Sequence, residues 1–238
     1  MPEDDPLARE KDLAARAAVR RVRPGMRVAL GTGSTAAFAV RALSEQVGPE
    51  ISTVASSTAT EALADSLGVP VGPLQPGDTF DVMIDGADEV TPHLDLTKGG
   101  GGALFREKFL ARLAKELVII VDHTKLVSHL GTRSAIPIEV VPFARPVVVA
   151  QLAARKFGCS VRGAEGDGPG RRTDNGNEIL DLRPPERIDD PARLERELRA
   201  IPGVVETGLF VGLTHRVYVG LPDGTVQEIV PAAPAKPA

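Results

Sequence analysis

Two aspartates, a lysine, four consecutive glycines and a glutamate flanked by cations fall within residues 85–108, DGADEVTPHLDLTKGGGGALFREK. Adjacent glycines oppose both helix and strand, because each loses more backbone freedom on ordering than any other residue. Residues kept there at the expense of local stability invite a chemical reading. Asp85 and Asp88 bracket Gly86 and Ala87 just after the apolar run FDVMID. Two acids on a tight turn suit proton transfer or metal ligation, as well as a plain turn. Lys98 leads into Gly99, Gly100 and Gly101, whose unobstructed amides can converge with the ammonium on one oxygen and stabilise negative charge there. Glu107 follows about one turn into the next helix. By spacing alone, a glutamate within an REK triplet belongs to a solvated helix face.

A second constellation lies upstream, in MRVALGTGSTAA. Its glycines let the backbone approach a ligand, and Ser34, Thr35 and the start of the following helix offer hydroxyl and N–H donors to an anion. GTGSTA also fits the looser dinucleotide fingerprint GxGxxA, which requires an acidic residue about 20 positions on to hold a ribose. The corresponding strand end reads TVASS and has no carboxylate, so a phosphate-binding turn is favoured over a dinucleotide site or a purely structural turn. The four histidines, at positions 93, 123, 129 and 215, form no ligand set, and two carboxylates alone hold Mg²⁺ loosely. A metal-free site is expected. Carboxylates for proton transfer, a lysine with glycine amides for an oxyanion, and a phosphate turn are together the equipment for enolising a phosphorylated sugar, with no redox cofactor.

The elements that must position these groups are legible as apolar periodicity. A helical stripe (Leu7, Ala14, Ala17, Ala18, Val22) ends at Pro24-Gly25 and is followed by the strand MRVAL. Strands ISTVASS, FDVMID and ELVIIVD alternate with helices at 36–46, ATEALADSL and ALFREKFLARLAK. Continuous apolar strands alternating with helices predict an α/β fold with a Rossmann-like, doubly wound parallel sheet. The grammar changes near residue 136: IPIEVVPF, a helix at 146–157, CSVR, a hairpin through TDNGNEILDL turning at Asn175-Gly176, and the helix ARLERELRA predict an inserted α+β lobe. The expected division is 1–135 plus 204–230 for the main domain and 136–203 for the lobe, with ETGLFVGL and RVYVGLPDGTVQEIV returning to the main sheet. The tail from 231 to 238 is Pro/Ala-rich and predicted to be disordered.

With 238 residues, 28 basic against 32 acidic and a net charge of −4, the chain has a sizeable core and no basic excess for nucleic acid or anionic membranes. Aromatics make up only 3%, which disfavours base-stacking platforms. No apolar run reaches the ~18 residues of a membrane span. One cysteine, Cys159, excludes an internal disulfide and suits a reducing compartment, so cytoplasm is expected.

GTGST, DGADE, KGGGGAL-REK, DHTK, TDNGN and IPGVVETGLF occur in the order and approximate spacing of type A ribose-5-phosphate isomerases, which the chain resembles from about residue 11 to 230. The resemblance implies interconversion of D-ribose 5-phosphate and D-ribulose 5-phosphate through a cis-enediolate, without metal or organic cofactor. It implies that Glu107 is the base moving a proton between C1 and C2, against its solvated-face reading. Asp85 and Asp88 would serve ring opening and hydroxyl protons, and Lys98 with the amides of Gly99 to Gly101 would hold the enediolate oxygen. Thr32, Gly33, Ser34 and Thr35, with Gly86 and Ala87, would line the substrate, and Lys125 and Lys11 would reach it as further cations. A ferredoxin-like lobe and a homodimer, or a tetramer, are also implied. Gly102 replaces a frequent alanine and Phe105 a frequent threonine, and neither change removes a charged site residue. The competing readings are a non-catalytic sugar-phosphate sensor, an isomerase of another phosphosugar, and a CoA-transferase-like relative using Glu107 as nucleophile. The sensor would need a DNA-binding segment, and the ~30 residues before GTGST hold one helix and no helix-turn-helix.

Overall fold

Apolar strands with no polar face are stable only where both faces are covered, and the centre of the molecule is built from them. The computed structural model describes residues 7–46, 50–166 and 168–231. Strands β1 (Arg27–Leu30), β2 (Ser52–Ala55), β3 (Val82–Asp85) and β6 (Leu117–Asp122) are parallel neighbours, and β12 (Arg216–Gly220) joins β6 in parallel. With the antiparallel edge β13 (Val226–Ile229), the order is β13-β12-β6-β3-β1-β2. Alternate residues feed two cores. Val28, Leu30, Ile84 and Ile120 pack under helices α1 (Ala8–Val19) and α2 (Ser34–Gln46), whereas Ala29, Met83, Ile119 and Val121 face Leu110, Leu96 and Phe210. Each such buried aliphatic side chain contributes on the order of 1.5–3 kcal/mol.

The chain runs from β1 outward to β2 through α2, then crosses back through α3 (Thr58–Ser66) to β3 on the other side of β1. The crevice where strand order reverses, outside the C-terminal ends of β1 and β3, is where open α/β sheets bind ligands. Residues 31–35 and Asp85 lie there.

A second sheet, β10-β7-β9-β8, comprises β7 (Ile136–Val140), β8 (Gly158–Val161), β9 (Glu178–Arg183) and β10 (Val204–Thr207), antiparallel throughout. With α5 (Arg145–Ala154) and α6 (Pro191–Arg199) it forms a βαββαβ lobe of ferredoxin-like strand order around Ile138, Val148, Leu152, Leu180 and Leu198. Two expectations need correction. ETGLFVGL (206–213) does not return to the main sheet: its first two residues end Val204–Thr207, which pairs with the otherwise open edge of β7, Leu209–Phe210 pairs with Leu96–Thr97, and only at Arg216 does the chain rejoin the parallel strands. The Asn175-Gly176 turn does form, closed by Thr173 N–H to Asn177 O at 2.9 Å, but a single Arg172–Glu178 bridge flanks it, since β9 is already paired on both sides.

A third sheet, β11-β5-β4, is made of the two-residue strands β4 (Glu89–Val90), β5 (Leu96–Thr97) and β11 (Leu209–Phe210). It carries Lys98, whose N–H donates to Gly208 O at 2.8 Å. The tail from 232 onward and the acidic start lie outside the described residues. Among those described, no helix is long and apolar enough to cross a membrane.

Candidate active site

Asp85 ends β3 with no solvent exposure. Its Oδ1 accepts from the backbone N–H of Thr32 at 3.1 Å and of Gly86 at 2.7 Å, and its Oδ2 lies 2.8 Å from Lys98 Nζ. Burial raises the pKa of this carboxyl, and the Lys98 charge opposes that rise. Gly31 makes the placement possible: a Cβ there would sit 2.0 Å from Asp85 Oδ1. Sequence reasoning counted Gly31 within a phosphate turn and missed this role, which depends on a contact across 54 residues of chain that no local pattern encodes.

Lys98 is 2% exposed and its Nζ meets three acceptors: Gly86 O at 2.7 Å, Asp85 Oδ2 at 2.8 Å and Glu107 Oε2 at 3.2 Å. Burial would lower its pKa, but the two carboxylates outweigh burial and hold it above the ordinary lysine value. The Phe210 ring lies 5.4 Å from Lys98 Nζ and 5.0 Å from that of Lys108.

Glu107 lies in the first turn of α4 (Leu104–Leu113) and is 1% exposed, so the surface expectation drawn from its spacing is wrong. Its carboxyl is pushed up to about 8, by burial first and then by the Asp85 charge, against the pull of Lys98. The neighbouring residues of REK turn elsewhere. Arg106 reaches outward to Asn175 Oδ1 at 2.8 Å and Asp174 O at 2.9 Å, while Lys108 turns into the lobe to Glu195 and Glu206, each at 2.9 Å. Three consecutive charged residues point in three directions, the one between toward Lys98 and the cavity.

The glycine run has separate demands at successive positions. Gly99 adopts φ +100°, and a Cβ on Gly100 would lie 2.6 Å from Asp88 Oδ1. Gly100 N–H donates to Asp88 Oδ2 at 2.8 Å, and Gly102 N–H closes a turn onto Gly99 O. Of the amides expected to face an oxyanion, that of Gly100 is therefore committed to Asp88, leaving those of Gly99 and Gly101. Glu89, next to Asp88, is turned away. Its carboxylate accepts from the N–H groups of Gly131, Arg133 and Ser134 and so anchors that loop.

At the other end, α2 begins at Ser34, and Lys11 Nζ reaches Ser34 Oγ at 3.4 Å. The Thr32 hydroxyl is directed away, to Ser56 Oγ at 2.7 Å and Ser57 Oγ at 2.8 Å, where Ser57 caps α3. Thus TVASS, lacking the acid a dinucleotide would need, supplies serines that fix the turn instead. Lys125 rides a short 3-10 turn, His123–Lys125, capped by Asp122 and tied to α1 through His123 Nδ1 and Glu10 Oε2 at 2.6 Å. Lys11, turn 32–35, residues 86–88, Lys98, glycines 99–101, Glu107 and Lys125 all line one cavity of about 290 Å³, with Asp85 directly beneath. Ligand pockets begin near ~300 Å³, so this one suits a small molecule. Among the described residues, no group of three or more His, Cys, Asp or Glu is arranged to hold a metal ion.

The fold and site together define a Rossmann-like protein with a small charged cavity at its sheet's switch point, lined by acids, a lysine and the start of a helix. Residues 52–224 match the family model described as Ribose 5-phosphate isomerase A (phosphoriboisomerase A). The chain belongs to that family. It is 46% identical over 226 residues to ribose-5-phosphate isomerase A of Deinococcus radiodurans, covering 92% of this chain and 96% of the relative. The protein of that name from Sphingopyxis alaskensis is 48% identical over 216 residues, covering 90% and 93%. Among solved structures, a D-ribose-5-phosphate isomerase in complex with phospho-erythronic acid superposes with a TM-score of 0.87 at 37% identity, covering 92% of this chain and 97% of the other. Ribose 5-phosphate isomerase A of Methanocaldococcus jannaschii gives 0.85 at 38% identity over the same shares.

Proposed function

We propose that this chain is an aldose–ketose isomerase interconverting D-ribose 5-phosphate and D-ribulose 5-phosphate, with Glu107 as the base. The observation that carries the reading is a carboxyl 1% exposed, pushed up to about 8 and 3.2 Å from Lys98, in a cavity shared with the start of α2. A base with a pKa near the working pH both exists ionised and accepts a proton with adequate driving force. In the aldose-to-ketose direction, the Glu107 carboxylate takes the proton from C2 and the C–H electron pair forms the C1=C2 bond. The carbonyl electrons move onto O1. The resulting enediolate faces Lys98 and the amides of Gly99 and Gly101, and Glu107 returns its proton to C1 as O2 becomes the carbonyl. Asp85 and Asp88 relay the hydroxyl protons.

The three acceptors of Lys98 support a concerted role. Once Glu107 is neutralised by the substrate proton, one of the charges holding the ammonium disappears as charge develops on the sugar oxygen, so Lys98 is released toward the enediolate when it is needed. The phosphate is bound by the N-terminus of α2 with Ser34 and Thr35, aided by Lys11 and Lys125. The relative solved with phospho-erythronic acid supports this division, since that ligand joins a phosphate to a carboxylate able to mimic an enediolate. The single cysteine supports a cytoplasmic enzyme, and exposed Leu74, Phe109 and Phe143 support a homodimer, which light scattering would test by returning twice the chain mass.

Proton exchange tests the reading directly. Purified, EDTA-treated protein in D₂O should convert ribose 5-phosphate to ribulose 5-phosphate with solvent deuterium entering at C1 or C2, followed by NMR. Binding without turnover would make the protein a sensor, and turnover lost only on chelation would reassign Asp85 and Asp88 to a metal.

A further inference from the structure

The peptide joining Gly99 to Gly100 is gripped at both ends. Its carbonyl, that of Gly99, accepts from Arg162 Nη1 at 2.7 Å, and the same nitrogen reaches Gly100 O at 3.1 Å. Its N–H, that of Gly100, donates to Asp88 Oδ2 at 2.8 Å. Arg162 directly follows β8 in the lobe, and Asp181 of β9 holds the far side of its guanidinium, Nε to Oδ2 at 2.9 Å and Nη2 to Oδ1. Arg162 belongs to none of the sequence motifs and does not line the substrate cavity.

A peptide between two glycines has no Cβ on either side to resist rotation. Were it to turn, Gly100 N–H would leave Asp88; the Gly100 carbonyl, which Arg162 also reaches, belongs to the next peptide, the one that bears the Gly101 N–H. A guanidinium locked bidentately on a carboxylate is a fixed fork that can hold such a plane where a flexible ammonium could not. Its hydrogen bond to the Gly99 carbonyl also polarises the peptide and strengthens the N–H donated to Asp88.

We infer that Arg162, oriented by Asp181, is a positioning residue for the isomerisation: from behind the glycine loop it fixes the two successive peptides whose N–H groups aim Asp88 and face the enediolate from Gly101. The inference rests on the isomerase reading. A merely structural contribution would lower thermal stability and leave turnover per folded molecule unchanged. A role in holding substrate would raise KM. Positioning instead lowers kcat with KM held, because the phosphate is bound at the other end of the cavity.

The test is steady-state kinetics on ribose 5-phosphate for Arg162→Met, Arg162→Lys and Asp181→Asn, with wild type and Arg172→Met alongside. Arg172 is a second lobe cation, paired with Glu178 at 3.7 Å. Arg162→Met should lose roughly 10- to 100-fold in kcat, less than or comparable to removing an oxyanion donor outright, with KM within about threefold. Arg162→Lys and Asp181→Asn should fall between it and wild type, and Arg172→Met should match wild type. The inference is overturned if folded Arg162→Met keeps its kcat, if its loss lies in KM, or if Arg172→Met loses as much. Should Arg162→Met fail to fold, an unchanged kcat in Asp181→Asn overturns it. A wild-type protein inert on ribose 5-phosphate would overturn the isomerase reading itself, whereas active wild type with unaffected variants would sink only the role of Arg162.

Discussion

Replacing Asp85 with Asn should move the acid limb of the pH–rate profile to lower pH. As the proposed base, Glu107 must be ionised to take a proton from carbon, and its carboxyl is pushed up from 4.5 to about 8, with burial the largest cause and the Asp85 charge adding to it. In wild type, kcat/KM therefore rises with pH through a midpoint well above that of an ordinary carboxylate. Both acids contact the same ammonium, at 2.8 and 3.2 Å. Their nearest oxygens are thus at most about 6 Å apart, where an effective dielectric of ~20 gives a repulsion of roughly 3 kcal/mol, or about two pH units. Lys98 lies between them and screens part of this, so a midpoint lower by about one to two pH units is expected. Asparagine keeps the shape and the Oδ1 that accepts from Thr32 and Gly86, and it frees Lys98 to lean on Glu107, which acts in the same direction. The assay is kcat/KM for ketose formation from below pH 6 to above pH 9, about the range a raised carboxylate spans. Loss of hydroxyl-proton transfer lowers the height of the curve but not the position of the limb. A midpoint unchanged or moved upward would refute the electrostatic coupling of the two acids.

Glu107→Gln should cost on the order of 10²–10⁴ in kcat with KM little changed, and a variant keeping more than about a tenth of the wild-type rate would mean another residue is the base. The same carboxyl sets a stability slope: its folded pKa is raised, so its contribution is fully present below pH 4.5 and lost as pH climbs through about 8. Thermal melts should then show the Tm of Glu107→Gln gaining on wild type across that window, and a pH-independent difference would show that Glu107 titrates normally. Gly31→Ala places a Cβ 2.0 Å from Asp85 Oδ1, so calorimetry should record a Tm lower by several degrees together with a fall in kcat; equal stability and activity would show that Asp85 has room to move. Ser34→Ala and Lys125→Met should raise KM and spare kcat, and a loss confined to kcat would remove these residues from phosphate binding.

How much of this was legible depended on whether a residue's partners were near it in sequence. The parallel strands declared themselves because burial on both faces favours an apolar run, as in Leu117–Val121 of β6, all five buried. The lobe announced itself as a change of pattern near residue 136. ETGLFVGL has the apolar character of a main-sheet strand, and only the open edges of β7 and β5 decide that its two ends pair with them instead. The sheet carrying Lys98 was invisible, since two-residue strands have no periodicity and Lys98 is held by Gly208 from far along the chain.

The same limit governs the site. DGAD and GTGST could be read because a ligand turn after an apolar strand is a local arrangement with a local cause. Glu107 could not be read from its surroundings, because Arg106, Glu107 and Lys108 are all charged, and such a triplet on a helix is ordinarily solvated. Glu107 is 1% exposed because it turns inward to Lys98, beside the third sheet, whereas its neighbour Lys108, also 1% exposed, bridges to Glu195 and Glu206 of the lobe. A buried lysine and a buried glutamate each lose hydration that a single partner repays only in part. Adjacent in sequence, they are tolerable because they face opposite ways, into two separate sets of counter-charges supplied by chain segments far away. A reading based on local polarity therefore fails where a charged helix turn crosses a boundary between sheets, and here that boundary is where the proposed base sits with its pKa raised by burial.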